Sequence, residues 1–364
     1  MKAGIVGLPN VGKSTLFNCL SNAKAQSANF PFCTIEPNLG VVNVPDLRLE
    51  KLESLVQPEK VLPATVEIVD IAGLVKGASK GEGLGNQFLA NIRECHAIIH
   101  VLRCFENDNI VHVEGNVDPV RDKETIDIEL QLKDLETVEK RLEKVKRTAK
   151  TGNKEAKIEQ DLLERIQRVL LEGKSARVVE PKNEEEQELL TQFQLITTKP
   201  VLYVCNVDES AAASGNKYVD LVRDLVKDEE AQVIVLAVAT EADIAELETY
   251  EERQMFLQDI GLDTPGVSKL IQSAYKLLNL QTYFTAGVKE VRAWTIPVGA
   301  TAPESAGVIH SDFEKGFIKA EVISYQDYVE FGSETKVKEA GKLRVEGKEY
   351  VVKDGDVMHF RFNV

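Results

Sequence analysis

The 364-residue chain carries 59 acidic against 44 basic side chains, and the resulting formal charge of −15 argues against loose, whole-surface binding to nucleic acid. With 43 % hydrophobic and 28 % charged residues it reads as globular and long enough for two or three domains, and no apolar run reaches the length of a membrane span. Five scattered cysteines (Cys19, Cys33, Cys95, Cys104 and Cys205) lack metal-ligand spacing and fit free thiols in a reducing, cytoplasmic compartment.

Lys2-Ala3-Gly4-Ile5-Val6 reads as a short buried strand, and Leu16-Phe17-Asn18-Cys19-Leu20 has the apolar spacing of a helix. Between them stands Gly7-Leu8-Pro9-Asn10-Val11-Gly12-Lys13-Ser14-Thr15, which fits GxxxxGK[ST]. In that pattern backbone N–H groups and a helix N-terminus cradle phosphates, the lysine reaches the β- and γ-phosphates, and the following hydroxyl ligates Mg²⁺. Lys13 and Ser14 take those roles, and Gly7 and Gly12 let the backbone approach the phosphates. The ligand expected is a nucleoside triphosphate.

Two prolines keep Pro31-Phe32-Cys33-Thr34-Ile35-Glu36-Pro37 out of helix and sheet. Thr34 is the expected switch residue, its hydroxyl on Mg²⁺ and its backbone sensing the γ-phosphate. Residues 39–44 and 65–70 read as strands, and the second runs into Asp70-Ile71-Ala72-Gly73, a DxxG. Asp70 would hold Mg²⁺ through a water, and the Gly73 N–H would meet the γ-phosphate. Leu74 follows, where Ras-like enzymes carry a glutamine that orients the attacking water. Either turnover is slow or another group positions that water. His112 lies in a polar loop past the buried strand 97–103, at the sheet edge where doubly wound folds bind ligands, and is the candidate; the alternative is an ordinary solvated histidine. His100, inside the strand, reads as packing.

Leu130, Leu132, Leu135, Val138, Leu142 and Val145 recur at helical spacing, as do Ile158, Leu162, Leu163, Ile166, Val169 and Leu170, with a break at Thr151-Gly152-Asn153. The pattern predicts an antiparallel helical hairpin. Its tip gathers Lys140, Arg141, Lys144, Lys146, Arg147, Lys150, Lys154 and Lys157 against Glu143 and Glu155, which is either a phosphate-backbone contact or a solvated face. The chain returns at Pro200 into a strand ending at Asn206, followed by Val207-Asp208-Glu209 where a GTPase places NKxD. Val207 removes the stacking lysine stem and Glu209 lengthens the guanine-reading fork, whereas Asn206, both donor and acceptor, suits the N6/N7 edge of adenine. ATP is therefore expected over GTP. Residues 281–364 read as a small domain of short strands and turns.

These motifs, with Ile309-His310-Ser311-Asp312-Phe313-Glu314-Lys315-Gly316, resemble the YchF group of Obg-related P-loop ATPases over essentially the whole chain. The resemblance implies an α/β fold: a Ras-like, Obg-type G domain over 1–122 and 199–276, an inserted coiled-coil hairpin over 123–198, and a C-terminal β-grasp (TGS) domain over 277–364. It implies ATP hydrolysis in preference to GTP and association with ribosomes or structured RNA; with Leu74, the expected protein is a slow ATPase switch, a monomer, that regulates translation or a stress response. An Obg-like GTPase in ribosome assembly and a scaffold that holds nucleotide without turnover are the alternatives. It also carries over Asn10, Val11, Gly12, Lys13, Ser14 and Thr15 as the phosphate-binding run, Ser14 and Thr34 as magnesium ligands, Asn206 and Val207 as adenine contacts, and Asn10 as a contact to an activating K⁺.

Overall fold

The structure, a computed structural model, describes residues 1–22, 38–71, 84–113, 115–229, 231–247 and 249–363. Twelve strands among the described residues are arranged in two six-stranded sheets. They are β1 Lys2–Val6, β2 Leu39–Asn43, β3 Val61–Leu62, β4 Thr65–Asp70, β5 Ala97–Arg103, β6 Val201–Asn206, β7 Gln232–Leu236, β8 Leu280–Ala286, β9 Val291–Pro297, β10 Phe317–Ile323, β11 Arg344–Glu346 and β12 Val357–Phe362. The first sheet has the order β2-β4-β1-β5-β6-β7, with β4, β1, β5, β6 and β7 all parallel. Every residue of β5 and β6 is buried, as continuous apolar runs require of central parallel strands. The C-terminal ends of β1, β4 and β6 therefore open on one edge of the sheet, where Gly7, Asp70 and Asn206 stand.

The chain divides into two compact units, Met1–Gly40 with Glu67–Leu270 and Val41–Val66 with Ile271–Val364. The sequence pattern left residues 41–66 with the nucleotide-binding domain; in the structure they pack with the C-terminal residues. The reason is a set of long-range contacts. Arg48, in the helix Leu47–Val56, pairs with Asp354 at 2.8 Å and lies 5.3 Å from the centre of the Phe284 ring. In addition, β3 pairs with β9, the far edge of the second sheet, β11-β10-β12-β8-β9-β3. That sheet packs Tyr283, Ile296, Val322, Met358 and Phe360 against Ala302 and Ala306 of the helix Ala302–Ile309.

Within the first unit the hairpin forms as its periodicity predicts, from Pro119–Ala149 and Lys154–Leu171. Asp118 caps the first helix and Asn153 the second, while Gly152, at φ +91°, makes the turn. Val138, Leu142 and Val145 meet Leu162, Leu163, Ile166 and Leu170 in a shared core. Leu132, placed in the stripe by spacing alone, is instead 46 % exposed. The tip is less cationic than the linear count suggests, because Lys140 pairs with Glu136 along its own helix and Arg141 and Lys146 pair with Glu159 and Glu164 across the two helices.

The root of the hairpin is bound to the sheet by buried polar groups. Lys123 pairs with Asp127 (2.6 Å) and Glu229 (2.7 Å), and Glu229 also accepts from the Tyr203 hydroxyl of β6 (2.6 Å). Asp134, with no exposed surface, accepts from the Ile196 N–H (2.9 Å), the Thr197 N–H (2.7 Å) and the Thr197 hydroxyl (2.7 Å) on the returning chain. Asp134→Ala strands these donors and should lower stability by about 3 kcal/mol, read as a lower urea midpoint without loss of the far-UV helical signal below the transition.

Candidate functional site: the phosphate loop and its surroundings

The loop between β1 and the helix Lys13–Asn22 is shaped from both sides by its neighbours. Asn206, buried at the end of β6, donates from Nδ2 to the Val11 carbonyl (2.9 Å) and accepts at Oδ1 from the Val238 N–H (3.1 Å). A Cβ on Gly12 would fall 2.5 Å from that Nδ2, and Gly12 sits at φ +100°, so two constraints demand glycine. Gly7 is excluded from bearing a side chain by the Val101 carbonyl, 2.6 Å from a Cβ there. Asn10, at φ 62°, donates to the Val111 carbonyl (3.1 Å), which turns its amide oxygen away from that bond.

Lys13 is 7 % exposed and its Nζ donates to the Leu8 carbonyl at 2.7 Å. Burial lowers its pKa to about 8, with the Asp70 carboxylate opposing the shift. Ser14 Oγ donates to Asp70 Oδ2 at 3.1 Å, while Oδ1 is buried with no hydrogen-bond partner. Burial pushes the Asp70 carboxyl up against the opposing effects of Ser14 and Lys13. Thr15 is exposed in the first helical turn, where a phosphate oxygen could reach it.

P-loop nucleoside triphosphatases generally use Mg²⁺. An unpartnered carboxylate oxygen beside a hydroxyl is an all-oxygen donor set that suits such a hard cation. Among the described residues no cluster of three His, Cys, Asp or Glu side chains could hold a metal. Thr34 and Gly73 lie outside the described residues.

Three sequence readings change. The Asn206 fork, expected to face adenine, is engaged in joining two loops of the chain itself. Val207 is 3 % exposed and its N–H bonds to the Leu236 carbonyl (3.0 Å), so its side chain packs inside. His112 is neither solvated nor loose: it is buried, with Nε2 2.8 Å from Asp122 Oδ2. His100 is fully buried in β5, as read, and burial holds its imidazole down at about 3. Sequence reasoning missed Asp122 and Arg103, the latter buried and bonded to three backbone carbonyls, a role that no residue spacing reveals.

A parallel sheet with a glycine-rich loop at its edge, a lysine and serine opening the next helix, and an aspartate ending a neighbouring strand define a P-loop nucleoside triphosphatase of the G-domain type. A family model described as "50S ribosome-binding GTPase" matches residues 2–154, and YchF-GTPase_C, described as "Protein of unknown function", matches residues 280–363. The chain is 58 % identical to the ribosome-binding ATPase YchF of Haemophilus ducreyi, covering 100 % of this chain and 99 % of that protein. It is 56 % identical to the protein so named in Bacillus subtilis, with 100 % of both covered. The solved structure of the Schizosaccharomyces pombe YchF GTPase aligns with a TM-score of 0.90 at 40 % identity, over 99 % of this chain and 97 % of that one. The chain belongs to the YchF family.

Two outcomes follow from this geometry. Asn206→Ala should weaken both ATP and GTP binding, by about tenfold or more, because it releases the phosphate loop; the two dissociation constants test this. Since phosphate favours the ammonium form of Lys13, affinity for ATP should fall as pH rises above about 8, approaching tenfold per unit, when the constant is measured from pH 7 to 9.5.

Proposed function

We propose that this chain is a slow, magnesium-dependent ATPase switch that works as a monomer in the cytoplasm and associates with ribosomes through its helical hairpin. The observation that carries the reading is the facing arrangement of Lys13, Ser14 and Asp70 beneath a preformed phosphate loop. Lys13 would leave the Leu8 carbonyl for the β- and γ-phosphates. Ser14 and Asp70, with Thr34, would hold Mg²⁺, which supplies neutralising charge on the phosphates. Val11, Gly12 and Thr15 would contribute backbone and hydroxyl donors, and the Gly73 N–H would sense the γ-phosphate. The Asn10 amide oxygen, turned from Val111, would serve K⁺. The working parts would be the nucleotide-binding residues 1–122 and 199–276, the hairpin 123–198, and the β-grasp residues 277–364.

ATP is favoured over GTP because the relatives above are named ribosome-binding ATPases and because the guanine-reading motif is altered at Val207 and Glu209. The neighbouring carboxylate, Asp208, caps the turn Glu209–Ala211 by accepting from the Ala211 N–H (3.2 Å). Adenine would meet the Val207 backbone and the remaining Asn206 N–H rather than the whole amide fork. A second reading, GTP use, is supported by the name of the yeast relative. The hairpin presents a groove of about 580 Å³ lined by Arg93, Lys133, Lys140, Arg141 and Lys144 together with Glu136 and Glu159, whose pairing with Lys133, Lys140 and Arg141 leaves a net positive surface of the kind that meets an RNA phosphate backbone.

Leu74 cannot orient a water, and His112 would take that task. Calorimetric titration should find ATP bound at least about tenfold tighter than GTP, and His112→Ala should lower potassium-stimulated turnover without weakening ATP affinity. Equal or tighter GTP binding would overturn the first claim, and unchanged turnover the second.

A further inference from the structure

The phosphate loop is met from two neighbouring strands. Arg103 and Asn206 stand opposite one another in the β5–β6 register, and both are buried. Asn206 holds the Val11 carbonyl. The residue before it, Asn10, is met by the loop that follows β5, and Arg103 holds that loop. Arg103, 2 % exposed, donates from Nε to the Phe105 carbonyl (3.2 Å), from Nη2 to that of Asn107 (3.1 Å) and from Nη1 to that of Ile110 (2.9 Å). The Asn107 carbonyl also accepts from the Ile110 N–H (3.1 Å), which closes a turn. The guanidinium lies 4.7 Å from the centre of the Phe105 ring. Its donors point in fixed directions, whereas the ammonium of a lysine is a point charge on a flexible stem and could not gather three carbonyls spread from 105 to 110.

The next carbonyl along, that of Val111, accepts from Asn10 Nδ2 at 3.1 Å. Asn10 stands at φ 62°, in the left-handed region that asparagine tolerates at some cost. Its bond to Val111 is exposed, and an exposed hydrogen bond to a moving acceptor restrains little. Here the acceptor is anchored one residue away, at Ile110, by a buried cation. The bond is thereby able to hold Asn10 in one conformation before a ligand arrives.

We propose that Arg103 is a positioning residue for nucleotide binding: by gathering the Phe105, Asn107 and Ile110 carbonyls it fixes the Val111 carbonyl against Asn10 and preorganises the phosphate loop for a triphosphate. The inference rests on the reading of that loop as the phosphate site. Arg103 and Asn206, cross-strand neighbours, would then restrain adjacent residues of the loop, Asn10 and Val11, from the ends of two central strands.

The test is the dissociation constant of the full chain for the non-hydrolysable β,γ-imido analogue of ATP with Mg²⁺, measured by calorimetric titration. Arg103→Lys should raise it about tenfold, whereas in an Asn10→Ala background the same substitution should change it by less than about twofold, because the two side chains act through one bond. Phe105→Leu removes the ring beside the guanidinium and leaves the three carbonyls within reach; it should raise the constant about threefold, again only when Asn10 is present. Asp134→Ala, destabilised through Ile196 and Thr197, should bind like the wild type, which separates positioning from general loss of stability. A constant within about twofold of the wild type in folded Arg103→Lys overturns the proposal. So does an equal factor with and without the Asn10 side chain, or an equal loss in Asp134→Ala. If Arg103→Lys does not fold, Phe105→Leu decides by the same criteria. If Lys13→Ala binds the analogue as tightly as the wild type, the reading of the phosphate loop fails, and this inference with it.

Discussion

Asn206 reaches from the end of β6 to two loops at once, its nitrogen bonded to the Val11 carbonyl and its oxygen to the Val238 N–H. In a buried setting each of these bonds satisfies a backbone group that would otherwise be left unpaired at a penalty of about 1–3 kcal/mol. The bridge also sets the space at Gly12, where a single Cβ would strike the amide. The path of the phosphate loop thus depends on a side chain almost two hundred residues further along. Lys13 and Ser14 inherit their positions from it.

What the bridge holds in place is a site in which burial opposes both charges. Lys13 is pushed by burial toward its neutral form and Asp70 toward its protonated form, although the two face one another. A phosphate beside Lys13 would favour the ammonium, and a cation beside Asp70 would favour the carboxylate. In the structure Lys13 Nζ donates to the Leu8 carbonyl, and Asp70 Oδ1 is buried without a hydrogen-bond partner.

A second theme is the connection between this site and the hairpin. The first turn of the helix Pro119–Ala149 carries Asp122, which meets His112, and then Lys123, which enters the Glu229 and Tyr203 cluster beneath β6. The whole 31-residue helix is about 45 Å long at 1.5 Å per residue, and Asp134 ties its middle to the returning chain. Because these contacts are buried and charge-assisted, the root of the hairpin behaves as part of the nucleotide-binding unit rather than as a tethered arm.

The phosphate loop, the strand ending in Asp70 and the two hairpin helices were legible in the sequence, because each is a local pattern: a motif of fixed spacing, a run of apolar residues, a 3.6-residue period broken at Gly152. The tertiary structure alone decided how the side chains in those patterns are used. It engaged Asn206 within the chain, buried His112 against Asp122, drew Arg103 onto three carbonyls, and joined residues 41–66 to the C-terminal sheet through Arg48 and Asp354. Periodicity records which face of an element is buried, whereas a hydrogen bond between residues 11 and 206 or an ion pair between 48 and 354 leaves no trace in spacing. Such partners exist only once the chain has closed upon itself.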